Sequence, residues 1–476
     1  TSPDLGSELV TNGDFSNGTT SWTLDDASNG SISVVDGKLE IVSNGGAGYP
    51  VVKQGILTSI GKKYSVTFSV TNNTTGFWFR ISQFESHLSG DTTFYANDKT
   101  SSINFKGEFT AISTTSYLKI FAEQNDAGSF KIDSISIKEI QEADFDFSRG
   151  SSATRVNEKG LIESIASNLP RIDYTSGFGS LLLEPQRTNL ITYSEDFSQW
   201  ILGSNSTLTY VSDVVAPDGS LGVYRLTNPA SGATYIQSPS FSISNPLTIS
   251  LYVKSTGSGN DDFNLYTGAS NISDLKTATS EWQRFDYTAD GSSMYIINSG
   301  DTYESDIYIW GSQAEAGSYA TSYIPTNGST VTRSADVANN SGNADLFNDS
   351  EGVLYAEISA LANNETFRMI TVSDGTNNNR VRINYTSTSN QIQSRVVDGG
   401  STVANFNHTL TDITTSVKVA IKYKANDCSM WVNGSEVGTD TSATMPSGLD
   451  TLNFDGSAGT NNFYGNTKEL AVFKEA

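Results

Sequence analysis

Residues 9–22 read LVTNGDFSNGTTSW, and residues 190–200 read LITYSEDFSQW. Both stretches carry a leucine and an aliphatic residue, then threonine, Asp-Phe-Ser and a closing tryptophan, Trp22 or Trp200. Two openings this similar predict two copies of one module. Because the tryptophans belong to the shared opening, we expect both in the module cores.

Strict alternation of apolar and polar residues recurs along the chain, in 62–70 (KKYSVTFSV), 130–137 (FKIDSISI), 247–253 (LTISLYV) and 417–423 (VKVAIKY). This period is typical of half-buried β-strands. Clusters of Gly, Asn, Ser and Asp separate the runs, as turns require. No long amphipathic helix is evident. The pattern predicts an all-β protein of tandem antiparallel β-sandwiches.

Length and charge narrow the functional class. The 476 residues suggest roughly three domains. With 29 basic and 52 acidic residues the formal charge is −23, which disfavours nucleic acid and anionic membrane surfaces as partners. No apolar run reaches the roughly 18 residues of a membrane-spanning helix. Cys428 is the sole cysteine. The chain begins at Thr1, so we expect a processed chain or a fragment.

Composition shifts divide the chain. The segment from about residue 345 opens differently, with EGVLYAEISAL at 351–361, and is expected to be a different sandwich. The predicted domains are a jelly-roll module at 1–143, an ordered β connector at 144–186, a second jelly-roll module at 187–326, a linker at 327–344 and a final sandwich at 345–476.

The opening motif at 9–22, together with Asp133 in the closing strand, resembles jelly-roll carbohydrate-binding modules that begin with an NGDFE-like motif. The resemblance implies glycan binding without cleavage and a structural calcium ion, with Asp14, Glu40 and Asp133 as candidate ligands. Trp310 stands at the position of Asp133 in the second module. No calcium ion is expected there.

Residues 144–338 resemble a recurring segment of bacteriophage tail-fibre and head-fibre proteins. The similarity lies in 146–163 (DFSRGSSATRVNEKGLIE), 180–200 (SLLLEPQRTNLITYSEDFSQW), 307–317 (IYIWGSQAEAG) and 321–337 (TSYIPTNGSTVTRSADV). It implies an extracellular virion appendage with other virion proteins as partners. A homo-oligomer is also implied, with a trimer as the expected state.

The stretch 417–438, VKVAIKYKANDCSMWVNGSEVG, resembles concanavalin-like and laminin-G-like sandwiches. Asn433 and Gly434 form a favourable two-residue hairpin turn on physical grounds. The resemblance implies the fold of the third sandwich. It leaves sugar binding, protein binding and a purely structural role open.

Several catalytic arrangements are missing. The two histidines, His87 and His408, lie in different predicted domains, and no zinc-protease or phosphate-loop motif occurs. An E-x-D-x-x-E strand motif of sandwich glucanases starts at Glu142 and at Glu304, but Phe147 and Ile309 replace its last glutamate. We therefore expect no enzyme.

Sugar binding requires an aromatic plane beside polar groups. In 77–80 (FWFR), Trp78 and Arg80 lie opposite Phe77 and Phe79, so one pair faces away from the core. We choose Trp78 and Arg80, although a core position for Trp78 stays open. The predicted glycan-binding residues of the first module are Trp78, Arg80, Gln83, Glu85 and Tyr95. Those of the second module are Tyr235, Gln237, Tyr266, Trp282 and Arg284.

Two alternating stretches of the third sandwich, 380–384 (RVRIN) and 391–395 (QIQSR), place polar side chains on one outer face. A basic and amide face could contact an anionic glycan or a neighbouring subunit; a merely solvated sheet is the alternative. The candidate residues are Arg380, Arg382, Gln391, Gln393 and Arg395.

Together these features predict a bacteriophage virion protein that adheres to bacterial surface polysaccharide without cleaving it, at weak sites multiplied by copy number. One alternative is a purely structural virion protein that binds no glycan. Another is a secreted bacterial glycan-binding or polysaccharide-degrading protein.

Overall fold

The structure, a computed structural model, describes ten segments of the chain, namely residues 4–71, 74–85, 92–98, 102–141, 145–231, 234–243, 246–269, 272–298, 303–457 and 459–476. For residues 4, 5, 92–98 and 141 only the backbone is described. This part of the chain consists of strands and turns with one 3₁₀ turn, Phe197–Gln199, and none of its helical residues form a segment that could span a membrane. The predicted all-β class is confirmed.

The chain divides into two compact units, Thr1–Ala143 and Asp144–Ala476. The first unit is one antiparallel sandwich, called the first sandwich. Its sheets have the strand orders β3-β4-β11-β6-β9, with β1 beside β11, and β2-β5-β10-β7-β8. The strands are β1 (Asp4–Glu8), β2 (Thr23–Asp25), β3 (Gly30–Val35), β4 (Lys38–Asn44), β5 (Val51–Leu57), β6 (Lys63–Thr71), β7 (Phe77–Ser82), β8 (Thr92–Asp98), β9 (Ile103–Thr110), β10 (Thr115–Ala122) and β11 (Ala127–Gln141).

The core of the first sandwich lies between these sheets. Phe68 of β6 stacks on Phe79 of β7 with ring centroids 4.5 Å apart. Trp22 is buried at the edge of this core, where its Nε1 donates a hydrogen bond of 3.0 Å to the carbonyl of Asn12. Alternate residues of each strand thus supply the core, as the period-2 pattern predicts.

The second unit begins with short connecting strands and the second sandwich. Its strands up to residue 339 are β12 (Asp146–Ser148), β13 (Ala153–Val156), β14 (Ile162–Ile165), β15 (Arg171–Asp173), β16 (Ser180–Leu183), β17 (Arg187–Asn189), β18 (Ile201–Leu202), β19 (Thr207–Val215), β20 (Leu221–Asn228), β21 (Tyr235–Gln237), β22 (Leu247–Ser255), β23 (Asp262–Tyr266), β24 (Lys276–Thr277), β25 (Gln283–Ala289), β26 (Tyr295–Ile297), β27 (Ser305–Ala316), β28 (Val331–Arg333) and β29 (Val337–Asn339).

The second sandwich repeats the topology of the first. Its sheets have the orders β19-β20-β27-β22-β25 and β18-β21-β26-β23-β24, so each strand has a counterpart at the same place in the first sandwich. Trp200 is as buried as Trp22, and its Nε1 donates a hydrogen bond of 3.1 Å to the carbonyl of Tyr193. The structure bears out both the internal repeat and the core positions of the two tryptophans.

A shared β-bulge fixes the alignment of the two closing strands. The ladder between β11 and β6 shifts register after Asp133, and the ladder between β27 and β22 shifts after Trp310. The next residue has a positive φ in both strands, 55° at Ser134 and 62° at Gly311. Trp310 therefore occupies the position of Asp133, as the sequence alignment predicts.

The third sandwich pairs a seven-stranded sheet, β15-β16-β39-β30-β35-β36-β37, with a five-stranded sheet, β34-β33-β32-β31-β38. Two strands of the seven come from the connector, because Leu181 of β16 pairs with Thr467 of β39. The remaining strands are β30 (Glu351–Ala360), β31 (Arg368–Ser373), β32 (Arg380–Tyr385), β33 (Gln391–Asp398), β34 (Ser401–Thr409), β35 (Val417–Lys424), β36 (Cys428–Val432), β37 (Ser435–Asp440), β38 (Thr451–Asn453) and β39 (Gly465–Phe473).

A buried ionic cluster of Arg149, Arg171, Glu184, Arg333 and Asp336 ties the connecting segments together. Arg149 lies 3.0 Å from Asp336, while Arg171 and Arg333 lie 2.8 and 2.7 Å from Glu184. Arg171 also contacts Asp336. All five side chains are at most 2% exposed.

The predicted linker, residues 327–344, contributes two members of this cluster. It also forms β28 and β29, which pair with β17 and β12. These strands have three residues each, which is too short for a periodic pattern. The segment is therefore a packed part of the second unit.

Candidate functional site

The first candidate surface lies on β7. Phe77 and Phe79 are buried in the core, whereas Trp78 and Arg80 are half-buried on the opposite face of the sheet. The alternation in FWFR explains this orientation. The two phenylalanines face the other sheet of the sandwich, so the residues between and after them face away from it. The structure thus places Trp78 outside the sandwich core.

Trp78 is one half of an aromatic pair. Phe121 lies opposite Trp78 on the neighbouring strand β10. The planes of the two rings differ by 2°, and their centroids are 6.1 Å apart. The guanidinium of Arg80 lies 5.2 Å from the Trp78 centroid and 5.3 Å from that of Phe121. Two rings and a cation therefore lie on the side of this sheet opposite the core, called the tryptophan face. Phe121 is only 2% exposed there, so Trp78 is the ring of the pair that is partly accessible.

Two lysines extend the tryptophan face across the sheet. The Nζ of Lys53 lies 2.7 Å from Asp25 and 2.9 Å from Glu85, and the hydrogen bond to Asp25 raises the pKa of Lys53. Lys119 is buried and donates a hydrogen bond of 2.6 Å to the carbonyl of Phe84; burial, followed by repulsion from Lys53, lowers its pKa. Glu85, a predicted site residue, thus lies near this face.

Of the other two site residues predicted for the first sandwich, the structure describes the side chain of only one. Gln83 directly follows β7 and is half-buried. Tyr95 pairs in register with Arg80 from β8, but its side chain lies outside the described part. His87 also lies outside the described residues.

The corresponding sheet of the second sandwich carries a cluster of tyrosines. The Tyr295 ring lies 5.8 Å from Tyr235 and 5.2 Å from Tyr266, measured between centroids. Burial raises the pKa of Tyr295, and the two neighbouring phenols add to the shift. Gln237 pairs with Tyr295 in register. These four half-buried residues form the tyrosine face, on strands equivalent to those of the tryptophan face.

Trp282 and Arg284 do not join the tyrosine face. They lie at β25, on the other sheet of the second sandwich. Trp282 donates a hydrogen bond of 2.8 Å to the carbonyl of Val215, and Arg284 donates one of 2.6 Å to the carbonyl of Thr321. Trp282 thus contacts the end of β19 in the same sheet, and Arg284 contacts the segment that follows β27. No local pattern reveals either contact.

In the third sandwich the five predicted residues come together. Arg380 and Arg382 of β32 and Gln391, Gln393 and Arg395 of β33 line a groove of about 540 Å³. The groove, called the arginine groove, lies on the outer face of the five-stranded sheet, because the alternate residues of both strands fill the core. The other lining residues are Phe367, Met369, Thr386, Ser387, Thr388, Asn405, Asn407 and Asn461.

Two of the three residues expected to bind calcium have other hydrogen-bond partners in the described part of the chain. Asp14 accepts hydrogen bonds from the backbone and hydroxyl of Ser16, which lower its pKa. Asp133 accepts one of 2.7 Å from the Ser134 amide. Among the residues that the structure describes, no three acidic, histidine or cysteine side chains cluster as a cation site. Calcium binding by Asp14, Glu40 and Asp133 stays a prediction without support from this geometry.

Sequence reasoning missed several site residues. Tyr117 to Ala122 reads YLKIFA and alternates, so an outward Lys119 and Phe121 were open to prediction, but an outward phenylalanine contradicts the usual preference. Tyr295 lies in a strand of three residues, which is too short for a pattern. Asn405 and Asn407 alternate with buried Ala404 and Phe406, and that signal was available.

Comparisons with known proteins add little. No family model and no curated protein matches the chain. A solved structure described as "CBM4 structure and function" is 16% identical and covers 27% of this chain and 99% of its own, with a TM-score of 0.24. The tandem CBM22 domains of Paenibacillus barcinonensis Xyn10C are 11% identical, covering 67% and 99%, with a TM-score of 0.25.

Domains LG4-5 of the mouse laminin alpha1 chain are 9% identical, covering 58% of this chain and 91% of their own, with a TM-score of 0.22. None of the three is described as a virion protein. All three TM-scores lie below 0.5. These similarities therefore establish nothing about the ligand or activity of this chain.

Proposed function

We propose that this chain is a multivalent, non-catalytic carbohydrate-binding protein. The observation that carries the proposal is the repetition of one surface: equivalent sheets of the first and second sandwiches both present aromatic rings beside amide or charged groups. Such a ring covers the apolar face of a pyranose while the polar groups bind its hydroxyls. The arginine groove adds a third polar surface in the same chain.

We propose that none of these three surfaces hydrolyses a glycosidic bond. Hydrolysis requires a pair of carboxylates across the glycosidic bond. Within the described residues no carboxylate lines the arginine groove, and the tyrosine face consists of Tyr235, Gln237, Tyr266 and Tyr295. At the tryptophan face, Asp25 and Glu85 are both paired with Lys53.

The setting of this activity rests on the sequence resemblance alone. We propose an extracellular virion appendage, homo-oligomeric and attached to other virion proteins, that adheres to bacterial surface polysaccharide. In that setting weak sites gain avidity from copy number. A secreted bacterial glycan-binding protein fits the same surfaces, and purification of the native particle or culture fluid distinguishes the two.

The test is gel electrophoresis of the full chain through immobilised polysaccharides, with newly formed sugar ends measured in the same samples. We expect retardation without new ends. Trp78→Ala and Tyr266→Ala should each weaken binding about two- to tenfold, since a ring contact contributes roughly 0.5 to 1.5 kcal/mol.

Matched controls remove aromatic rings away from both faces. Tyr210, 57% exposed on β19, and Trp431, 40% exposed on β36, serve this purpose. Tyr210→Ala and Trp431→Ala should bind like the unmodified chain. Equal losses in test and control variants, or new sugar ends, would refute the proposal.

A further inference from the structure

The arginine groove holds three cations and no counter-charge. Among the described residues no carboxylate lies within ion-pair distance of Arg380, Arg382 or Arg395, and none lines the groove. Arg382 and Arg395 stand directly opposite each other in the ladder between β32 and β33. Side chains at such paired positions are in contact range. Two like charges are therefore held together on one face.

Arg382 is the most unusual of the three. It is only 4% exposed, and its Nη atoms contact the Sδ of Met369 and the Oε1 of Gln393, each at 3.3 Å. Its buried Nε has no hydrogen-bond partner among the described residues. Burial, then repulsion from Arg380 and Arg395, lowers its pKa to about 9. A charge in this state is strongly disfavoured unless an anion completes it.

Three of the four other buried arginines of the same unit show the usual solution, whereas Arg368 is held by the carbonyl of Thr366 and the amide of Asn364. Arg149, Arg171 and Arg333 each contact a carboxylate of the buried ionic cluster. In the buried ionic cluster the chain therefore supplies the anions for three buried guanidinium groups. In the groove it supplies neutral amides instead.

These amides are ordered. Gln393 donates from Nε2 to Oδ1 of Asn407 at 2.7 Å, which turns its Oε1 towards Arg382. Arg395 donates from Nε to Oδ1 of Asn405 at 3.0 Å. The guanidinium planes are thus held by neutral acceptors, with further N–H groups facing the groove. Planar guanidinium groups match carboxylates and sulfates, and amides match sugar hydroxyls.

We propose that the arginine groove binds an anionic substituent, a carboxylate or a sulfate ester, of an acidic polysaccharide. This inference rests on the proposed glycan-binding function and adds the ligand class of the third sandwich. The anion takes the place between Arg382 and Arg395 that a carboxylate side chain takes in the buried ionic cluster. The amides of Gln393 and Asn407 contact the hydroxyls beside it.

The test uses the full chain and three polymers: polygalacturonate, which bears carboxylates, dextran sulfate, and neutral dextran. Calorimetric titration compares the unmodified chain with Arg395→Gln and Arg382→Met. The control is Arg225→Gln, which removes an arginine paired with Asp306 in the second sandwich. We expect both groove variants to lose about tenfold or more in affinity for an acidic polymer, as for a charge-assisted contact, and the control to lose none.

Folding is checked in the same samples. Replacing an unpaired buried cation by an apolar side chain is often neutral or stabilising, so Arg382→Met should unfold at the same or a higher temperature than the unmodified chain. Weaker binding together with unchanged or greater stability supports a binding role for this arginine. Unchanged binding by both groove variants overturns the inference.

The polymers separate the remaining outcomes. Binding of polygalacturonate alone assigns a carboxylate ligand, and binding of dextran sulfate alone assigns a sulfate ester. Binding of neutral glycans only, lost in Trp78→Ala, overturns the inference but leaves the proposed function standing. Binding of no polysaccharide across a broad panel overturns both.

Discussion

Replacing Glu184 with glutamine removes one of the two carboxylates of the buried ionic cluster. Burial by itself raises the pKa of Glu184, but Arg333, Arg171 and the Ser322 hydrogen bonds outweigh it and lower the pKa from 4.5 to about 2. At about 1.36 kcal/mol per pKa unit, this depression corresponds to about 3 kcal/mol of stability that the ionised carboxylate supplies. Glu184→Gln should lose about that much at neutral pH, because buried Arg333 then lacks a counter-charge and Arg171 keeps only Asp336.

The pH dependence follows from the sign of the shift. A carboxyl group with a depressed folded-state pKa stabilises the fold fully above pH 4.5, and this contribution disappears as the pH falls towards 2. The unmodified chain should therefore lose about 3 kcal/mol across this window through Glu184 alone. The Glu184→Gln variant has a lower free energy of unfolding at neutral pH, and it does not show this part of the loss of stability in acid.

The assay is urea unfolding of the full chain at a series of pH values, followed by tryptophan fluorescence. Glu163→Gln is the matched control, since Glu163 pairs with Arg155 at the surface, with 36% and 25% of the side chains exposed. Exposed pairs contribute about 0.2 to 1 kcal/mol. A Glu184→Gln variant as stable as this control at pH 7, or one whose acid transition runs parallel to that of the unmodified chain, would refute the reasoning.

Two further predictions concern the bulge and the groove. Gly311 has a φ of 62°, and a Cβ there would lie 3.2 Å from the Tyr252 ring, whereas Gly257 has a φ of 85° and open space around it. In thermal unfolding, Gly311→Ala should therefore lose more stability than Gly257→Ala, for which backbone strain alone costs roughly 1 kcal/mol. Equal losses of stability in the two variants would contradict the packing of this bulge. Raising the ionic strength from about 0.01 to 0.15 M shortens the Debye length from about 30 to 8 Å. This screens the long-range repulsion between a chain of charge −23 and an acidic polymer more than it screens the buried contact at Arg382. Titrations over this range should show unchanged or tighter binding to the arginine groove, and a steep loss of affinity would indicate non-specific surface attraction instead.

Local periodicity carried most of what the sequence predicted. The alternation in 77–80 and in 380–395 depends only on neighbours along the strand, so the orientation of Trp78 and the convergence of Arg380, Arg382 and Arg395 were accessible. The repeated opening was equally accessible, because its Asp-Phe-Ser and tryptophan residues serve the same core in both copies.

What the sequence did not show depends on distant contacts. Arg149 and Asp336 are 187 residues apart, and both lie in segments without periodicity, so their burial leaves no local trace. Arg284 alternates like a surface residue, yet its guanidinium donates a hydrogen bond to the carbonyl of Thr321, 37 residues further along the chain. Tyr295 lies on a three-residue strand, where adjacency to Tyr235 and Tyr266 arises only from sheet order.

Buried arginines have two different roles in the second unit, depending on whether the chain itself or a ligand supplies the negative charge. In the buried ionic cluster Glu184 and Asp336 come from the chain, so guanidinium burial contributes to the joining of three segments. In the arginine groove the chain places amides where carboxylates would stabilise the fold, although acidic residues outnumber basic ones by 52 to 29. Apolar side chains there would cost less than an unpaired charge. A ligand that brings its own negative charge explains both the retained arginines and the missing carboxylates.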